Sequence, residues 1–239
     1  SFRQNREYDK IISKIKEEIP EFWDKMDISE EDGEYDKAIR EIKNLPADKI
    51  DKGLIYVLGR AYMYSGDFKN ALNTYLSFIG KAKEDTLNTD IWLYSEAGWT
   101  CNEFEDFEQG LKYLLEAEKL GRDDEWLNTE IGQCLGRLER YEEAIEAFTQ
   151  AKKWGRNDAW INIEYGACLA GLDKYEEAIE KFEYALSLND EDKDKDLAFT
   201  HGQLGCCHRN LENYEEAIKY LMLSKEEGRN DVWTNLELA

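Results

Sequence analysis

The chain has 239 residues, 31 Lys plus Arg against 53 Asp plus Glu, and a formal net charge of -22. That charge repels phosphate backbones and anionic membrane surfaces, so nucleic acid and membrane are excluded as expected partners. An aromatic content of 13% with only 2 Pro and 16 Gly excludes a disordered acidic tail and collagen-like or low-complexity classes. The length suits one large domain or two small ones. No apolar run reaches the ~18 residues of a membrane helix, and the first ten residues lack a signal-peptide core, which predicts a cytoplasmic protein.

In chain order, Tyr8, Ile11, Ile12, Ile15 and Ile19 recur at helical spacing before Pro20, predicting a helix over 1–18 that covers the first apolar face of a repeat array. The remainder of the chain is repetitive. GEYDKAIREI, from Gly33 to Ile42, preserves the second half of a unit placed at about 19–51. A complete unit, LIYVLGRAYMYSGDFKNALNTYL, runs from Leu54 to Leu76 within 52–90, and a third, marked by Trp92, fills 91–124. WLNTEIGQCLGRLERYEEAIEAF, from Trp126 to Phe148 in 125–158, returns 34 residues later as WINIEYGACLAGLDKYEEAIEKF, from Trp160 to Phe182 in 159–197. FTHGQLGCCHRNLENYEEAIKYL occupies 198–231, and Asp231-Val232-Trp233 opens a truncated unit over 232–239. That truncation, with Ser rather than Met at the first position, predicts a fragment of a longer repeat protein. The units at 52–90 and 159–197 each run 39 residues, five in excess, near 80–90 and 186–196, where either a longer second helix or a surface insertion is expected, the charge run from Asp190 to Asp196 favouring a loop in the second.

Within a unit the apolar residues fall at i, i+3, i+4 and i+7, as in Ile131, Leu135 and Leu138, then Tyr141, Ile145 and Phe148, so each half is an amphipathic helix. Gly132 and Ala144 are small where the two helices cross. Gly121, Gly155 and Gly228 are expected to end helices in the left-handed conformation, and Asp124, Asp158 and Asp231 to accept from the free N–H groups opening the next helix. Leu58-Gly59-x2-Tyr62 with Ala71-x3-Tyr75, and the equivalent small and apolar slots at Gly132, Gly166 and Gly205, resemble tetratricopeptide repeats over residues 19–239. The resemblance implies an all-α, right-handed superhelical solenoid of antiparallel helix pairs. It also implies a concave groove, lined by the first helix of each pair, in which peptides bind.

At ~100° per residue, Glu130, Gln133 and Arg137 fall within about 40° of Trp126, opposite Ile131 and Leu135. The equivalent stripes include Trp92, Glu96 and Trp99, then Trp160 and Glu164, then Phe199 and Gln203. Stacking would align these eleven residues into an aromatic row beside an acidic one. Such a surface would take a basic protein or peptide segment with apolar anchors. The competing reading is structural, with Arg122 stapling Trp126 and Arg156 stapling Trp160 by cation–π contact. Some members of the resembling family hold a C-terminal carboxylate with Lys, Asn and Arg; Glu96, Glu130 and Glu164 stand in the groove slots here and disfavour such a ligand.

Five Cys, with Cys134, Cys168 and Cys207 in one small slot of successive units, read as reduced packing residues, and no zinc spacing is present. Cys206, Cys207 and His208 sit too close along one helix to converge on a metal. His208 stands in a core slot, and no phosphate loop or nucleophile elbow occurs. The expectation is a non-enzymatic interaction scaffold without metal or cofactor, its oligomeric state left open. The alternative is a regulatory or self-association arm of a larger protein whose catalytic part lies beyond the chain end.

Overall fold

A computed structural model describes residues 35–47, 50, 52–79, 89–188 and 197–228. Among these there are eleven helices and no strand: α1 (Tyr35–Lys43), α2 (Lys52–Tyr64), α3 (Phe68–Phe78), α4 (Thr89–Glu103), α5 (Phe107–Lys119), α6 (Glu125–Arg137), α7 (Tyr141–Lys153), α8 (Ala159–Gly171), α9 (Tyr175–Ser187), α10 (Leu197–Asn210) and α11 (Tyr214–Glu226). The predicted covering helix over 1–18, the Trp233 opening of a further unit and most of both insertions lie outside the described residues. Two compact bodies divide the chain, 1–123 and 124–239. None of the described helices is long and apolar enough to cross a membrane.

Each pair doubles back because its connection has only three residues, as in Leu138-Glu139-Arg140 between α6 and α7. The Arg140 N–H donates to the Leu135 carbonyl at 2.9 Å and the Glu139 N–H to Gly136 at 3.1 Å, closing the end of α6. That closure needs a left-handed residue, and Glu139 supplies it at φ 59°, as Glu105, Asp173 and Glu212 do in their turns. Between pairs the strain is relieved: Gly121 and Gly155 take φ 102° and 107°. The next helices then open on Asp124, accepting from the Leu127 N–H at 2.8 Å, and Asp158, accepting from Ile161 at 2.9 Å. The sequence-derived stop and start signals are therefore both in place at these two junctions.

Packing follows the small–large alternation. A Cβ on Gly132 would fall 2.6 Å from the Phe148 ring, and one on Gly166 2.8 Å from Phe182, so the absence of a side chain lets α6 meet α7 and α8 meet α9. Phe148 and Phe182 are fully buried. In the N-terminal body Leu54, Ala71, Tyr75 and Leu93 form the corresponding core. The five cysteines are free and buried. Burial pushes the Cys168 thiol up to about 12 and those of Cys101 and Cys207 up to about 11, so they remain protonated packing groups. His208 is half-buried and stacks on Tyr220 at 5.4 Å.

Candidate functional site

Consecutive first helices touch within each body, α2 with α4, then α6 with α8 and α8 with α10. The predicted row therefore lies beside a helix–helix contact, and its members meet different fates.

In the N-terminal body Glu96 is 4% exposed. Arg60 on α2 grips it through Nε at 3.0 Å and Nη2 at 3.1 Å, while the Tyr56 hydroxyl donates at 3.1 Å. Burial works to lower the Arg60 pKa, but Glu96 outweighs it and holds the guanidinium above the usual arginine value. The helix wheel puts Glu96 on a solvated stripe; the bidentate arginine of the preceding pair closes over it instead. The same guanidinium lies 5.3 Å from the centre of Trp99 and 5.2 Å from Tyr56. Tyr64 meets Trp99 edge-on at 6.4 Å and stacks on Tyr35 at 5.4 Å. Trp92 and Trp99 stay half-buried.

Arg122, itself 6% exposed, lies over the Trp92 ring at 4.3 Å. The predicted staple of Arg156 on Trp160 is present at 5.0 Å, with Arg156 Nε also 2.9 Å from Asp158 Oδ2.

In the C-terminal body Trp126, Gln133, Trp160, Glu164, Phe199 and Gln203 are all half-buried, whereas Glu130 is buried at 9% exposure. Arg137 reaches Glu164 across 3.3 Å, and its side chain remains 48% exposed. Phe199 packs on the core around Phe182 and Leu204. Row members in each body thus lie on touching first helices, and the four indoles keep part of their area at the surface.

Sequence reasoning missed Arg60, Tyr56, Tyr64 and Tyr35. A signal existed: counted from Gly59 and Gly98, Arg60 fills the slot of Trp99, so a row built on Trp99 should have included it. Two lysines of the second helices, Lys152 and Lys181, were also passed over; both lie against Tyr165.

Three segments match family models described as tetratricopeptide repeat: 54–89, 127–158 and 157–224. No curated protein matches the sequence. Among solved structures, one described as YrrB, a TPR protein with an unusual peptide-binding site, is 20% identical with a TM-score of 0.62, covering 84% of this chain and 96% of its own. MamA residues 41 to the end, from Desulfovibrio magneticus RS-1, is 16% identical with a TM-score of 0.63 over 76% of this chain and 97% of that one. A further MamA structure is 18% identical at TM-score 0.59, covering 71% and 94%. These likenesses establish the fold, and with the three matched segments and the paired helices they make this chain a member of the tetratricopeptide-repeat proteins.

Proposed function

We propose that the chain is a non-catalytic protein-interaction scaffold of the cytoplasm, built as the repeat units read from the sequence. The first-helix residues of each body receive a peptide segment with apolar anchors and basic side chains. The observation that carries the reading is the partial exposure of Trp126 and Trp160 on α6 and α8, which touch, and, in the other body, of Trp92 and Trp99 on α4, which touches α2. A surface fixed by helix packing loses little ordering entropy on binding. YrrB is described as having a peptide-binding site, and the shared fold supports extending that mode of use here. Glu96 is buried and neutralised by Arg60, whereas the Arg137–Glu164 pair is more exposed, so a cationic partner competes with Arg137 for Glu164.

Selecting ligands from a random peptide library on the intact chain tests this. Enrichment of Lys or Arg beside aromatic or aliphatic residues, with affinity falling as salt rises, is the expected result. Enrichment of acidic sequences, or salt-independent binding, would reject it.

The second reading, a self-association arm, draws on α11, where Tyr214, Ile218 and Met222 are 59%, 51% and 51% exposed at successive i+4 positions. Light scattering separates the two: an Ile218→Glu/Met222→Glu variant dissociates an oligomer if this face joins copies, and leaves a monomer unchanged otherwise.

A further inference from the structure

The chain carries far more acid than base, and the arginines of its row have acidic neighbours, yet two lysines break the pattern. Lys152 near the end of α7 and Lys181 on α9 both face the Tyr165 ring of α8, with Nζ 5.9 and 5.4 Å from its centre. Lys152 Nζ is also 5.9 Å from the Tyr184 ring. Its one hydrogen bond runs to a neutral group, the Oδ1 of Asn162, at 2.7 Å. Asn162 is fully buried, and its own amide is held by Asn157 Oδ1 at 3.2 Å and the Asp158 carbonyl at 2.7 Å. Among the described residues neither lysine has a carboxylate in ion-pair contact. Burial, and then Lys181, push the Lys152 pKa below the usual lysine value, and no acidic group counters them.

Two cations set around one aromatic ring, one of them anchored by a buried amide, make a site that lacks its anion. Tyr184 adds a neutral donor: its hydroxyl accepts from Asn157 Nδ2 at 2.8 Å and so keeps its own proton to give. A carboxylate would neutralise one ammonium, whereas a phosphate monoester brings about -1.5 to -2 charges. Anionic lipid surfaces and nucleic acid are repelled by the net charge of -22.

We propose that Lys152 and Lys181, with Tyr165 and Tyr184, form a receptor for the phosphate monoester of a phosphorylated side chain on a partner protein. None of these four residues belongs to the tryptophan row. The site rests on the scaffold reading only for the source of the phosphate.

NMR titration of the intact chain, in low-salt buffer free of phosphate, tests it with three probes: inorganic phosphate, N-acetyl-phosphoserine-N-methylamide, and N-acetyl-glutamate-N-methylamide. The phosphoserine probe should saturably shift the Lys152, Lys181, Tyr165 and Tyr184 resonances and bind at least tenfold tighter than the glutamate probe. Its affinity should rise between pH 5 and 7, as the second phosphate proton with pKa near 6 is lost. Lys181→Gln, whose parent side chain contacts only the ring, should weaken binding about tenfold or more without changing thermal stability; Lys152→Gln should weaken it similarly. Equal binding of phosphoserine and glutamate probes, shifts elsewhere only, or unchanged affinity in Lys181→Gln would overturn the site. Binding of inorganic phosphate without the phosphoserine probe would overturn its assignment to a protein side chain. Trp160→Ala should leave these titrations unaltered, so failure of the row and failure of this site are read separately.

Discussion

Glu96 in the N-terminal body and Glu164 in the C-terminal body hold the same slot, two residues before Gly98 and Gly166, yet their environments differ. Glu96 is sealed by a bidentate guanidinium and a tyrosine hydroxyl, with side-chain exposures of 27% for Arg60 and 5% for Glu96. Glu164 meets a single, more open arginine nitrogen, with exposures of 48% and 13%. The glutamate does not decide this; the preceding first helix does. Arg60 stands one position after Gly59, where it faces the next repeat's glutamate, whereas the residue after Gly132 is Gln133 and the cation comes instead from Arg137, a turn further on. Repeats that look alike along the chain therefore divide into a body whose acid is held by a largely buried bidentate arginine and one whose acid meets a more exposed arginine.

The largest way to break the comparison is to remove the cation. Arg60→Ala strands a buried carboxylate and should cost the N-terminal body roughly 3–5 kcal/mol, while Arg137→Ala should cost under about 1 kcal/mol; urea unfolding followed by probes in each body measures both. Equal losses would show that the two glutamates are not differently solvated. Next, Gly132→Leu should overpack Phe148 and cost roughly 1–3 kcal/mol in the C-terminal body alone, read as a lower unfolding midpoint there.

The helix starts sharpen the contrast at smaller scale. In the N-terminal body second helices open on Asp67 and Asp106, which accept from the Asn70 and Gln109 N–H groups at 3.2 and 3.3 Å. In the C-terminal body Arg140, Lys174 and Asn213 stand there with no side-chain cap. Asp67→Ala should cost about 1 kcal/mol and Lys174→Asp should gain a comparable amount. Smallest of all, Glu139→Gly should stabilise by about 0.5–1 kcal/mol by relieving its left-handed backbone. Thermal melts of these variants check the signs.

Much of the fold was legible because one period recurs through the chain: helix pairing, the Gly121 and Gly155 stops and the Asp124 and Asp158 starts follow from local chemistry repeated in phase. The left-handed Glu139 was not legible, since the turn geometry, set by pairing α6 against α7, overrides that residue's own preference. The row was legible as a stripe on single helices, but a wheel treats each helix alone. It has no means of seeing Arg60 reach from α2 to Glu96 on α4, or Lys152 and Lys181 converge on Tyr165 from α7 and α9, because both arrangements arise only when neighbouring helices come together.

On the proposed reading, half-buried indoles and the Arg137-paired carboxylate of Glu164 on the first helices receive a cationic segment. The direct measurement is the affinity of a peptide selected on the intact chain, compared across Trp160→Ala, Glu164→Gln and a Trp154→Ala control, whose 45% exposed ring lies outside the row at the end of α7. At least a tenfold loss is expected for the first two variants and none for the control. Unchanged affinity in Trp160→Ala and Glu164→Gln, or an equal loss in the control, would contradict it.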